Sequence, residues 1–211
     1  MLNKIKDKIK LYLKFYKIKQ IRFKNYADYR EYFANEDKNS TWDASAFSKI
    51  IENNLEIKNN LHLVEIGVAR GATSKYTIDN FNEKIFRYTG VDPYQPNYDR
   101  SDGFSYYNQE LMDNLYKFVI EKINDHRFHL LRKKSNEAYL DFEDNSIDAI
   151  YIDGNHTYDG VKEDIIYWLP KVKPGGLIVG DDYLTFPEVR KAVKELFPNH
   201  NESENTWFVV K

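Results

Sequence analysis

The chain has 211 residues and a formal net charge of -2, and it contains no cysteine. That length suits one large domain. The missing thiols exclude disulfides, thiolate zinc sites, iron–sulfur clusters and cysteine nucleophiles, so any metal must sit on carboxylates, histidines or carbonyls. No apolar run of about 18 residues exists to span a membrane, and the lysine-rich start lacks the apolar stretch of a secretory signal. The mean hydropathy is -0.70 with 30% charged residues, but 16% aromatics argue for a folded chain, expected to be cytoplasmic.

Charge is unevenly spread, because residues 1–24 carry a net +8 and the remainder therefore -10. Within the basic stretch Leu2, Ile5, Ile9, Tyr12 and Tyr16 recur at spacings of three and four, one face of an amphipathic helix. Two uses of that helix stay open. It packs its stripe on the body, or residues 2–24 touch an anionic membrane surface from the cytoplasmic side. Nucleic acid is not expected as a partner, since an acidic body repels phosphate. Residues 25–40 are polar and tyrosine-rich without clean periodicity, so residues 1–40 read as basic helix plus linker, the linker holding a short helix. Residues 41–211 form the remaining unit.

Thr41 or Asp43 can cap a helix running to Asn54. Leu61–Ile66 is an apolar run that reads as a buried strand, followed by a helix over Thr73–Phe81. Strands follow over Arg87–Val91, Arg127–Leu131, Ile147–Ile152, Leu177–Gly180 and Trp207–Val210. Helices alternate with them over Asn108–Ile123, Ser135–Leu140, Tyr158–Leu169 and Pro187–Phe197. The segment Pro93–Tyr107, with Tyr94, Tyr98, Phe104, Tyr106 and Tyr107, reads as a long loop and a candidate lid. Such alternation predicts an α/β fold, a Rossmann-like, mostly parallel sheet with helices on both faces. Ligands of such sheets sit beyond the carboxyl ends of the strands. Those ends hold Glu65 with Gly67, then Asp92, Ser135, Asp153, and Asp181 with Asp182.

The loop Glu65-Ile66-Gly67-Val68-Ala69-Arg70-Gly71-Ala72-Thr73 lacks the G-x-G-x-x-G fingerprint of a pyrophosphate cradle. Glycines at 67 and 71 allow backbone to approach a ligand, while Glu65 favours an ammonium over a diphosphate. Asp92 is placed to accept hydrogen bonds from ribose hydroxyls. On Glu65, Gly67, Gly71, Thr73 and Asp92 the chain resembles the class I S-adenosylmethionine-dependent methyltransferases. The resemblance implies that Glu65 and Thr73 lie by the methionine end of S-adenosylmethionine, Asp92 by the ribose and Ser135 near the adenine.

A second constellation is Asp153-Gly154-Asn155-His156 with Asp181-Asp182. Asp153 and Asp181 lie 28 residues apart, one crossover, so they end neighbouring strands. Clustered carboxylates repel unless a cation neutralises them, and a hard divalent ion is the natural solution. Over residues 45–211 these positions resemble the metal-dependent O-methyltransferases acting on natural-product sugars and surface glycans. That resemblance implies a magnesium-type ion on Asp153, Asp181 and Asp182. It also implies catalysis by Asp153 and by His156, the latter as general base, and a small-molecule or glycan acceptor in polysaccharide biosynthesis. A second copy of the chain is a further expected partner. The chain ends so soon after Trp207 that room for the family's last β-hairpin is expected to be short. Two rival readings are a nicotinamide-dependent sugar oxidoreductase, against which the missing G-x-G-x-x-G counts, and a non-catalytic binding module of a glycan-assembly complex.

Overall fold

The computed structural model describes residues 23–40, 43–56, 59–99 and 103–211. The basic stripe over residues 2–22, and with it nearly all of the expected membrane-contacting segment, lies outside these described residues.

Helix α1 (Tyr26–Lys38) is opened by Asn25, whose side-chain oxygen accepts from the amides of Ala27 and Asp28. Helix α2 (Ala46–Asn54) starts just after Asp43, which accepts from the Ser45 amide and pairs with Lys49 at 3.0 Å. Strand β1 (Leu61–Ile66) leads through the glycine loop into α3 (Ala72–Phe81), and β2 (Ile85–Val91) follows. After a loop ending in a short 3₁₀ turn, Gly103–Tyr106, come α4 (Gln109–Ile123) and β3 (Phe128–Leu131). The second half adds α5 (Ser135–Ala138), β4 (Ile147–Ile152), α6 (Tyr158–Trp168) and β5 (Val172–Gly180). It closes with α7 (Pro187–Leu196), β6 (Asn201–Ser203) and β7 (Thr206–Val210).

The seven strands lie in the order β3-β2-β1-β4-β5-β7-β6. Pairs from β3 to β5 are parallel, whereas β7 runs antiparallel to β5 and to β6. Side chains of a strand alternate between faces, and here both faces are covered. On one face Leu63, Ala149, Tyr151, Leu177 and Val179 pack with residues of α1 to α4. On the other Val64, Ile66, Ile150, Ile152 and Ile178 pack with residues of α6 and α7. Double burial explains why apolar residues dominate β1 and β4 on both faces.

Three differences from the sequence reading stand out. Residues 25–40 hold more than a linker with a short helix, because α1 has 13 residues and sends Tyr29 and Phe33 into the core beside Phe118 of α4. Strand β5 begins at Val172, ahead of Pro174-Gly175-Gly176, and its register against β4 shifts across that segment. The last hairpin also fits. A three-residue β6 and a five-residue β7 suffice, and the bare backbone of Gly180 lets the Trp207 ring lie against β5.

Candidate active site

Chain order and sheet order diverge at β1, from which the chain builds outward first through β2 and β3 and then through β4 and β5. A crevice opens at such a point because the connections leave the sheet in opposite directions. Here it is a cavity of about 560 Å³ at the carboxyl ends of the strands, a size common for small-molecule sites. Of the residues expected from sequence, Gly67, Thr73, Asp92, Ser135, Asp153, His156, Asp181 and Asp182 line it.

Glu65 and Gly71 do not line it, for different reasons. The Glu65 carboxylate is buried and accepts from the hydroxyls of Ser74 and Tyr88. Burial pushes its pKa up to about 8 against the pull of those two hydrogen bonds. It braces α3 against β2 through these two hydroxyls. Gly71 has φ +69° and opens α3 where a Cβ would press on Val119 and Ile123 of α4. Its glycine serves helix packing. Gly67 is the residue of close approach: at φ +88° its backbone lies so near the Asp153 carbonyl that any side chain would overlap it.

Asp92 is held by two backbone amides, Ala69 N–H at 3.0 Å and Tyr94 N–H at 2.8 Å. These fasten the end of β2 to the glycine loop. Ser135 Oγ accepts from Trp168 Nε1 at 2.7 Å and is also bonded to Asp164, whose buried carboxyl is pushed up to about 7 by desolvation.

The acidic cluster is organised around His156. Its Nδ1 lies 2.8 Å from Asp99 Oδ2, which also accepts the His156 backbone N–H at 2.8 Å. Its Nε2 lies 2.8 Å from Asp182 Oδ2 and 3.8 Å from Asp153 Oδ1, and its ring stacks on Phe186. Burial pulls the imidazole pKa down, but the carboxylates of Asp153, Asp182 and Asp99 around the ring outweigh it and raise it to about 12. The surrounding carboxylates thus favour the charged ring, and a divalent ion on Nε2 would have to displace that proton. Asp153 is raised to about 7, by desolvation first and by Asp181 and Asp182 besides, against the His156 hydrogen bond.

Among the described residues, Asp153, His156 and Asp182 are the group whose ligand atoms converge, all within 4.8 Å of one another. Two carboxylates and an imidazole are hard or borderline donors that fit a divalent ion. A carboxylate on the far nitrogen of the histidine, as Asp99 provides, is the usual support of a ligating imidazole. Asp181 stands apart from this set. Its Oδ1 accepts from the Asp182 amide and from Asn205 Nδ2, and its carboxylate also bonds to the Tyr151 hydroxyl. The converging group therefore contains His156 in place of Asp181, although Asp181 also lines the cavity.

Asp99, Phe186 and Asn205 line the cavity too, although the sequence did not single them out. Of the candidate lid aromatics, Tyr98 and Phe104 face the cavity. Tyr107 is core, packed on Phe33 and Phe104, and Tyr94, which also borders the cavity, is buried with its hydroxyl on the Ala69 carbonyl.

A sheet of this order, with its cavity at the reversal and an aspartate ending the strand beside the glycine loop, defines a class I S-adenosylmethionine-dependent methyltransferase. A family model described as a methyltransferase domain matches residues 64–183, more than half of the chain, and the chain belongs to that family. Uncharacterized protein R132 of Acanthamoeba polyphaga mimivirus is 33% identical over 155 residues, 70% of this chain and 65% of that protein. The chain therefore spans just under two thirds of that curated relative. Among solved structures, a Corynebacterium glutamicum protein aligns at TM-score 0.60 and 14% identity, covering 95% of both chains. The O-methyltransferase NovP aligns at TM-score 0.57 and 17% identity, over 80% of this chain and 77% of that one. CalS11, a TDP-rhamnose 3'-O-methyltransferase of calicheamicin biosynthesis, aligns at 0.54 and 12%, over 87% and 93%. Identities this low establish the shared fold.

Proposed function

We propose that the protein transfers the methyl group of S-adenosylmethionine to a hydroxyl of a sugar or glycan-related acceptor, assisted by a divalent ion. The observation that carries this reading is the convergence of Asp153, His156 and Asp182 on the cavity that also holds Gly67 and Asp92. NovP and CalS11, which share the fold, are O-methyltransferases, and the second acts on a sugar.

S-adenosylmethionine supplies the methyl group, and Asp92 is the residue assigned to its ribose. Asp153, His156 and Asp182 would hold a magnesium-type ion, whose charge lowers the pKa of an acceptor hydroxyl and fixes its oxygen. Asp99 keeps Nδ1 of His156 occupied, so Nε2 is the ring atom facing the cluster. With Nε2 of His156 on the ion and Nδ1 on Asp99, the acceptor's proton would pass to the Asp153 carboxylate oxygen that is not on the ion. Tyr98, Phe104 and Phe186 offer aromatic faces on which a sugar ring stacks and from which water is excluded.

The test is transfer of a deuterated methyl group from S-adenosylmethionine to a surface-glycan extract, read as a mass shift of the product. Transfer is expected with magnesium and not with excess chelator. Asp153→Asn should abolish transfer while S-adenosylmethionine still binds by calorimetry. His156→Ala should abolish transfer as well, because the ion loses a ligand. Full turnover in chelator would remove the ion from the reaction.

A further inference from the structure

Asp182 occupies an unusual backbone position. Its φ is +63° without being glycine, a conformation that must be held by surrounding structure. The holder comes from the C-terminal hairpin. Asn205, in the turn between β6 and β7, donates from Nδ2 to Asp181 Oδ1 at 3.3 Å and to Asp182 Oδ1 at 3.2 Å. Its Oδ1 accepts from the amides of Leu184 and Thr185 at 2.9 and 3.2 Å and from the Thr185 hydroxyl at 3.2 Å. Its own carbonyl accepts from the Tyr183 amide at 2.8 Å. The chemistry of these partners fixes the amide orientation, since two carboxylates need donors and two backbone N–H groups need an acceptor.

We propose that Asn205 is a positioning residue for the ion site: it anchors the turn over residues 181–185 and presents the Asp182 carboxylate to His156 and Asp153. The inference rests on the metal-assisted reading above. Asn205 fixes one Asp182 oxygen, Oδ1, while the other, Oδ2, faces His156 Nε2. Without that anchor, Asp182 has no Asn205 amide to hold its rotamer, and two adjacent carboxylates lose a shared donor. The C-terminal hairpin thereby becomes part of the site.

Manganese serves as the probe, titrated into the full chain and followed by its electron paramagnetic resonance signal, with S-adenosylmethionine affinity measured separately without added metal. Asn205→Ala should weaken manganese binding about 10–100-fold, the usual effect of removing a group that orients a ligand, and leave S-adenosylmethionine affinity unchanged. Asn201→Ala, in the same hairpin and exposed, should change neither. Wild-type manganese affinity in Asn205→Ala overturns the inference alone. An equal loss of S-adenosylmethionine affinity assigns Asn205 to general folding and overturns it as well. A wild-type protein that binds no manganese removes the metal-assisted reading together with the inference. If Asn205→Ala does not fold, Asn205→Ser decides by the same outcomes, because its short side chain cannot reach carboxylates and amides together.

Discussion

Gly67 and Asp164 show how single residues set the limits of this site. A side chain at Gly67 meets both a left-handed backbone and the Asp153 carbonyl. Gly67→Ala should therefore lower the melting temperature and abolish S-adenosylmethionine binding, readable by calorimetry; a stable variant with normal affinity would contradict the close approach. Asp164 acts through protonation. Its folded pKa, about 7, lies above the ordinary carboxyl value near 4. Between those values the folded chain holds a proton that the unfolded chain has released, so this group's contribution is fully present below about pH 4 and is lost as pH rises to about 7. Asp164→Asn should flatten that part of the stability profile, followed by urea midpoints at a series of pH values. An unchanged slope would show that Asp164 is ionised in the folded state.

At the scale of elements, α1 does more than lengthen the chain. Asp37 near its end pairs with Arg70 of the glycine loop at 2.8 Å and with Lys122 of α4 at 2.5 Å, and the Arg70 guanidinium lies over Phe104. Phe33→Ala should cost about 3–5 kcal/mol, as for other buried phenylalanines, measured by chemical denaturation. Asp37→Ala should weaken S-adenosylmethionine binding through the loosened loop; an unchanged affinity would show that α1 does not brace it. Neither role was legible in the sequence, because α1 turns only Tyr29 and Phe33 fully inward and the rest of its sequence is polar. Strands β1 and β4 were legible to the residue, since doubly buried strands are dominated by apolar residues. β6 was not, being three exposed polar residues. The site divides in the same way. Strand-end carboxylates followed from topology, whereas Asp99 meets His156 across 57 residues and Asn205 meets Asp182 across 23. Such partners are set by tertiary folding, and no local pattern announces them.

At the scale of the whole molecule, one sheet presents the residues proposed for the methyl donor and the acidic cluster side by side, joined where the backbone of Gly67 meets that of Asp153. The Gly67 amide is bonded to the Val91 carbonyl, and the Asp153 amide to the Ile66 carbonyl. A shift of either loop is therefore felt by the other within one hydrogen bond. Two ligands placed across such a contact are thermodynamically linked, and linkage is reciprocal. On the metal-assisted reading, whatever factor the ion applies to the dissociation constant of the methyl donor, the donor must apply the same factor to that of the ion.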